Sequence, residues 1–374
     1  MHRILVIADD LSGAAEIAGI GLRHGMSTRL LRSPGGDVDA DLTVIDTDSR
    51  SLNSHDAREA IRRFCEPHLR RPFDLIYKKT DSAMRGQMVA EVRQLMKCFS
   101  FRRALMVPHN PSRGRTIVDG HYRIDGVPLH QTAFANDPEH PARSSDVRMI
   151  LGKDVLVLKP MNSMPNDGLI VGEASSDSHV RSWAERVDRG TLPVGGADFF
   201  AAMLASKQLI ASASPVQQIT GNRLFVCGSA SAYSRELIRG CERCNMPIFS
   251  MPKEVFIGAD SSMWCAQLCA DIPQHPAALI VIDHPLDPNP LTSHRLQSTL
   301  GEVVAQIVSH HRIDNLLLEG GGTASAVCRR MGWNQFHVLG ELATGVVRLG
   351  VNSDRVGSIY IKPGSYPWPS VVWT

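Results

Sequence analysis

The chain has 374 residues, 43% of them hydrophobic, enough for more than one ordinary core, so two domains are expected. Its 40 basic and 38 acidic residues nearly cancel, which argues against a broad footprint for nucleic acid or a membrane surface. Eight cysteines in a chain this long exclude a disulfide scaffold, and no apolar run reaches the roughly 18–20 residues that span a bilayer.

The opening MHRILVIADD lacks the long apolar core and cleavage site of a signal peptide, so a soluble cytoplasmic protein is expected. Arg3–Ala8 reads as a strand, and Ser12–His24 as a helix with Ser12 as N-cap and Gly25 as its stop. Leu42–Asp46, Asp74–Lys78 and Arg103–Val107 read as further strands, with helices over His55–Leu69 and Gln87–Phe99 between them. From Pro108 to Ser145 the periodicity breaks into a long segment rich in Pro, Gly, His and Asp, of the kind that is usually functional. Alternation resumes at Asp154–Leu158 and Leu169–Gly172. Residues 206–222 are small and polar and read as a linker. A second series follows: Leu224–Cys227, a helix from Ser231, Ala278–Asp283, a helix over Leu296–Val308, Asn315–Glu319 and a helix from Thr323. This pattern predicts an α/β protein of two domains, 1–205 and 223–374. Each would be a mostly parallel sheet flanked by helices, with a cleft between them. Cys241-x2-Cys244 with Cys265-x3-Cys269 approaches a zinc spacing, but Cys265 and Cys269 lie one helical turn apart and read as core residues; no metal site is expected.

In open parallel sheets, ligands bind beyond the carboxyl ends of the strands. Polar clusters stand at four of them: Asp9 and Asp10; Asp46 and Asp48; the run Lys78-Lys79-Thr80-Asp81-Ser82-Ala83-Met84-Arg85-Gly86; and His109, Asn110 and Arg113. The lysines and arginines suit an anion such as a carboxylate, which the guanidinium fork binds in bidentate fashion. The aspartates suit hydroxyls, and a polyhydroxy acid fits both. In the second half, Asn315–Glu319 runs into Gly320-Gly321-Gly322-Thr323, and Leu224–Cys227 runs into Gly228-Ser229-Ala230-Ser231. Small residues between a strand and a helix N-terminus let backbone N–H groups approach a phosphate. Two such turns in one domain suggest a nucleotide, although neither fits a P-loop or a G-x-G-x-x-G fingerprint. Lys362, before Gly364, is a solvated lysine or an added cation for that site.

Taken together, these segments resemble the four-carbon acid sugar kinase family, which includes threonate and erythronate kinases. The resemblance rests on Ala8–Ala14, Lys78–Gly86, Asn110–Thr116, Gly126–Leu129, Thr132–Asp137, Gly228–Ser231 and Gly320–Ala324, in that order, and spans nearly the whole chain. It implies an N-terminal domain for the acid, with Asp9, Asp10, Lys79, Asp81, Ser82, Arg85 and Arg113 lining the pocket; Ser12 and Asn110 join these as candidates. It implies a C-terminal domain for ATP, with Ser229, Gly320, Gly321, Gly322, Thr323 and Gly364 at the nucleotide; Ser231 and Lys362 join these. The implied reaction moves the γ-phosphate of Mg²⁺-bound ATP to the terminal hydroxyl of the acid. Arg85 and Lys79 would fix the carboxylate. Asp9, Asp10 and Asp81 would hold hydroxyls, and Asp10 would take the proton. The partners are the sugar acid and ATP, with neither nucleic acid nor membrane; a homo-oligomer is left open. Two other readings stand beside this one. Lys362-Pro363-Gly364-Ser365-Tyr366-Pro367 departs from the family's usual Lys-x-Gly-Gly-Phe-Gly, which fits a non-catalytic acid-binding or sensing protein with a decayed nucleotide site. Asp46-Thr47-Asp48-Ser49 resembles the start of haloacid-dehalogenase-type phosphatases, with Asp46 as nucleophile and Asp48 as acid/base.

Overall fold

Runs such as Ile4–Ala8 and Leu42–Asp46 are buried at every position, as strands of a parallel sheet covered on both faces must be. The structure, a computed structural model, describes residues 3–36, 39–137, 139–209, 218–228, 232–284 and 289–373. It divides into two compact units, one of Met1–Asp9 with Arg23–Ser212 and one of Asp10–Leu22 with Ala213–Thr374. Part of the segment read as a linker, residues 210–217, lies outside the described residues.

The main sheet of the first unit contains β1 (Ile4–Ala8), β2 (Thr28–Leu31), β3 (Leu42–Asp46), β4 (Leu75–Lys79) and β5 (Arg103–Val107). After a small separate sheet of β6 (Arg115–Val118), β7 (His121–Ile124) and β8 (Val127–Pro128), it gains β9 (Val155–Leu158), β10 (Gly168–Gly172) and β11 (Thr191–Gly195). The main order is β2-β3-β1-β4-β11-β5-β10-β9, every neighbour parallel. The order reverses around β1, the switch point where such sheets open a crevice. Helix α1 (Leu11–Arg23) follows β1, and its residues up to Leu22 group with the second unit. Helices α2 (Ser54–Cys65), α3 (Met88–Phe99), α4 (Val147–Leu151), α5 (Asp177–Ala184) and α6 (Ala197–Ser206) complete the first unit.

The segment from Pro108 to Ser145 is not an irregular loop. Asp119-Gly120 and Asp125-Gly126 all have positive φ (49°, 76°, 50° and 81°) and close two-residue turns between β6, β7 and β8. That is the hairpin geometry Asp-Gly favours, because its twist matches the strands.

The second unit contains β12 (Arg223–Cys227), β13 (Ile248–Ser250), β14 (Ala277–Val281), β15 (Ile313–Glu319), β16 (Gln335–Ala343), β17 (Val346–Gly350) and β18 (Val356–Lys362). Their order is β13-β14-β12-β15-β18-β17-β16, parallel up to β18 and antiparallel beyond it. Helices α7 (Ala232–Arg243), α8 (Lys253–Ile257), α9 (Ser262–Asp271), α10 (Pro290–His310) and α11 (Gly321–Met331) belong here. Cys241 and Cys265 are buried core residues, and Trp368 and Trp373 pack on Phe225, at 5.8 Å edge-on and 5.7 Å stacked. No described helix is long and apolar enough to cross a membrane.

Candidate functional site

In the first unit, β1 pairs with β3 and β4 in the registers Ala8↔Asp46 and Ala8↔Lys79. Asp9 and the Thr80–Asp81 step therefore leave the sheet side by side. Arg85 grips Asp81 as a fork, Nε to Oδ2 at 2.9 Å and Nη2 to Oδ1 at 2.8 Å. Asp81 Oδ2 also accepts the N–H groups of Ala83 and Arg85, at 3.0 and 3.2 Å. The tight turn this closes holds Met84 at φ 58°, in the left-handed region. Arg50 joins two carboxylates: Nε donates to Asp9 Oδ2 at 2.8 Å, and Nη1 lies 3.6 Å from Asp81 Oδ1. Arg85 Nη1 donates to Asp137 Oδ2 at 2.8 Å. Arg115 donates to Ser82 Oγ, and the Tyr122 hydroxyl donates to the Ser82 carbonyl. The Phe134 ring lies under both Arg85 and Arg115, at 5.2 and 5.7 Å.

Burial alone would raise the pKa of Asp81, but Arg85, Arg50 and Arg115 outweigh it and hold this carboxyl well below the usual carboxylate range. Burial likewise presses Asp137 upward, and Arg85 with the N–H groups of His140 and Glu139 brings it below its ordinary value. Asp9 Oδ1 and Thr80 Oγ1 are buried and have no hydrogen-bond partner among the described residues. Buried polar groups of this kind are rare unless something else satisfies them. Sequence reasoning placed Asp9, Asp81, Ser82 and Arg85 here but gave no role to Arg50, Arg115, Tyr122, Phe134 or Asp137.

Three other expected residues of this unit, Lys79, Asn110 and Arg113, make contacts at the same strand ends. Lys79 is buried, and its Nζ donates to the Thr80 carbonyl at 3.1 Å. Asn110 Oδ1 accepts the Asp198 N–H at 3.2 Å in the first turn of α6. Arg113 closes a 3₁₀ turn, its N–H on the Asn110 carbonyl at 2.9 Å. His109 is wholly buried and pushed down to about 3 by that burial, so it is neutral; it packs edge-on against Tyr122. Asp46 is a poor nucleophile candidate. Its Oδ2 meets Arg32 Nε at 2.9 Å and its Oδ1 accepts the Asp48 N–H at 2.9 Å. Burial, opposed by Arg32, pushes its pKa up to about 7.

In the second unit the chain leaves β15 at Glu319, and Gly320, at φ 91°, turns it into α11. The start of α1 lies against this turn. A Cβ added to Gly321 would overlap Asp10 Oδ2 and stand 3.0 Å from Ser12 Oγ, so only glycine permits the approach. A Cβ on Gly228 would stand 2.5 Å from Thr323 Oγ1, so the end of β12 touches the same turn. Gly322 lies against Gln297. Asp10 caps α1: its Oδ1 accepts the Gly13 N–H at 3.0 Å and its carbonyl accepts the Ala14 N–H at 2.9 Å. Ser12 is therefore not the N-cap. It sits inside the first turn with its hydroxyl on Asp10 Oδ2 at 2.5 Å, because the adjacent carboxylate takes the cap. Two helix N-termini and a glycine turn thus converge, an arrangement that fits phosphate. Asp10 and Ser12, grouped by sequence with the acid pocket, are brought to this turn. Gly364 lies in the turn after β18, and Ser229 and Ser231 fall outside the described residues.

Lys362 is neither solvated nor poised as a spare cation. The register Glu319↔Lys362 sets it beside Glu319 at 3.2 Å, both side chains fully buried. Lys362 Nζ also donates to the Tyr366 carbonyl at 2.6 Å, and Glu319 accepts Ser234 Oγ at 2.6 Å and Trp368 Nε1 at 2.9 Å. Burial lowers the Lys362 pKa against the pull of Glu319. Lys362→Met strands a buried carboxylate and is expected to cost about 3–5 kcal/mol of unfolding free energy, read as a drop in denaturation midpoint. An unchanged midpoint would remove this pair as a support of the turn.

Two domain families match the chain. The sugar-binding N-terminal domain family matches residues 4–233 and the nucleotide-binding C-terminal domain family matches residues 224–366. The chain is similar to the D-threonate kinase of Salmonella typhimurium strain LT2, at 26% identity over 388 aligned positions covering 91% of this chain and 89% of that protein. It is also similar to the 3-oxo-tetronate kinase of Brucella melitensis biotype 1, at 23% identity covering 92% and 88%. A solved structure from Salmonella typhimurium LT2 shares the fold with a TM-score of 0.77 at 18% identity, covering 99% of this chain and 98% of that one.

Proposed function

The chain belongs to the four-carbon acid sugar kinase family, and from that premise we propose that it transfers the γ-phosphate of ATP to the terminal hydroxyl of a threonate- or erythronate-type acid, forming the 4-phosphate. The observation that carries the substrate side is the linked chain Asp9–Arg50–Asp81–Arg85, with Asp9 Oδ1 and Thr80 Oγ1 buried beside it. Arg50, Arg85 and Arg115 supply the positive charge that a carboxylate needs. Asp9 and Asp81 accept hydrogen bonds from hydroxyls, and Thr80 offers a donor.

The nucleotide side rests on the Gly320–Gly321 turn with the N-termini of α1 and α11, where a Cβ added at Gly321 would meet Asp10 and Ser12 and one at Gly228 would meet Thr323. Mg²⁺, when bound, neutralises charge on the phosphates; it is usually held by one or two carboxylates plus phosphate oxygens. Asp10 is the carboxylate beside the turn that would hold it. Asp10 is also assigned the attacking hydroxyl's proton, a modest role because phosphoryl transfer relies chiefly on positioning.

ADP release measured with D-threonate, L-threonate, D-erythronate and 3-oxo-tetronate tests the reading. At least one acid should support turnover of about 1–100 per second, the ordinary range for kinases. Binding of an acid without ADP release from any of the four would overturn it.

A further inference from the structure

Beneath the Arg50 loop lies a buried charge pair that the proposed chemistry does not use. Lys78 on β4 meets Glu91 on α3 at 2.8 Å, their side chains 0% and 2% exposed. Buried pairs are often no more stabilising than apolar residues of the same volume, so stability alone is a weak reason for one. The contacts around it supply another. The second oxygen of Glu91 accepts Ser49 Oγ at 2.6 Å. Ser49 Oγ lies 2.8 Å from Thr47 Oγ1, which donates to the Ala8 carbonyl at 2.8 Å. The N–H groups of Ser49 and Arg50 both donate to the Asp9 carbonyl, at 3.0 and 3.1 Å. On the other side, Lys78 Nζ donates to the Lys79 carbonyl at 3.0 Å, at the end of β4, two residues before Asp81. Asp48, just before Ser49, is held at φ 50°, a conformation that costs energy and persists only where neighbours enforce it.

We propose that Glu91, fixed by Lys78 and acting through the Ser49 hydroxyl, is a positioning residue that sets the Arg50 guanidinium against Asp9 and Asp81. It acts at one remove from the substrate. The kinetic arm of the test rests on the reading of this cluster as the acid site; the spectroscopic arm does not.

Two variants separate positioning from support. Ser49→Ala cuts the link and keeps the ion pair. Lys78→Met with Glu91→Leu removes both charges at once, so no unpaired charge is left to unfold the protein. The first readout is exchange of the Arg50 Nε–H in protein labelled with ¹⁵N-arginine, assigned by its disappearance in Arg50→Lys. Exchange should quicken about tenfold in the double variant and severalfold in Ser49→Ala, the size expected for loss of a charge-assisted hydrogen bond. The Arg103 Nε–H, bonded to Thr191 Oγ1 at 2.7 Å, should not change. The second readout is KM for the acid, raised about tenfold in the double variant while KM for ATP stays within about twofold. An unchanged Arg50 signal in a folded double variant reduces the pair to structure and overturns the proposal. If no acid is turned over by the unaltered protein, the kinase reading fails and the Arg50 signal decides this inference alone.

Discussion

Arg85→Ala is expected to raise KM for the sugar acid about 10²–10³-fold while KM for ATP moves less than about twofold. Arg85 makes a bidentate pair with Asp81 and a third bond to Asp137. Removing it takes a positive charge out of the proposed acid site and leaves the Asp81 and Asp137 carboxylates without that partner. A substrate carboxylate would then face repulsion where it had attraction. Breaking one side of a buried, hydrogen-bonded charge pair typically costs about 2–5 kcal/mol, a range that brackets the fold-change above. The pH dependence has a definite sign. Because Asp81 is depressed in the folded protein, its stabilising contribution is present above the ordinary carboxyl value and is lost as pH falls through the lower folded value. Without the Arg85 guanidinium, burial is opposed by Arg50, Arg115 and the backbone N–H groups on Asp81 Oδ2, so that acid limb should move upward. Arg85→Lys keeps the charge but not the fork and should recover only part of the affinity. Steady-state kinetics with each substrate varied in turn checks all of this, and an unaltered KM for the acid would remove Arg85 from the site.

Gly321→Ala should lower kcat/KM for ATP about 10²-fold, the usual consequence of displacing a positioned group by about 1 Å. Gly321 is the first residue of α11, where helix propensity has little weight. The loss comes from the added methyl alone, which must push Asp10 and Ser12 off the turn. Acid binding measured by calorimetry, and the denaturation midpoint, should stay near the unaltered protein's. Full activity with ATP in Gly321→Ala would mean that the approach of Asp10 to the turn is incidental.

Strand-end reasoning grouped Asp9 with Asp81, Ser82 and Arg85 because β1 is wholly apolar, β4 opens on Leu75-Ile76-Tyr77, and both run abruptly into charge. It missed Arg50 because that side chain reaches back from a loop whose path depends on a left-handed Asp48, which no periodicity reveals. Arg115 and Tyr122 lie in the segment read as irregular, yet the signal was present: Asp119-Gly120 and Asp125-Gly126 are hairpin turns in the bare sequence. Asp9 and Asp10 show a harder limit. They are adjacent, but Asp9 stays with the strand and meets Arg50, whereas Asp10 caps the helix and meets the glycine turn. Strand-to-helix connectivity announces the turn without saying which carboxylate goes where. Lys362 was misread for a similar reason, since only the register of β15 on β18 shows that Glu319 awaits it.

Phosphorus NMR of the protein with Mg-ATP and D-threonate, with the other acids in turn, tests phosphoryl transfer most directly. The γ-phosphorus signal should give way to a phosphomonoester split into a triplet by the two protons of a terminal CH₂ group. A γ-signal that persists with every acid, or that turns only into inorganic phosphate, would contradict the account.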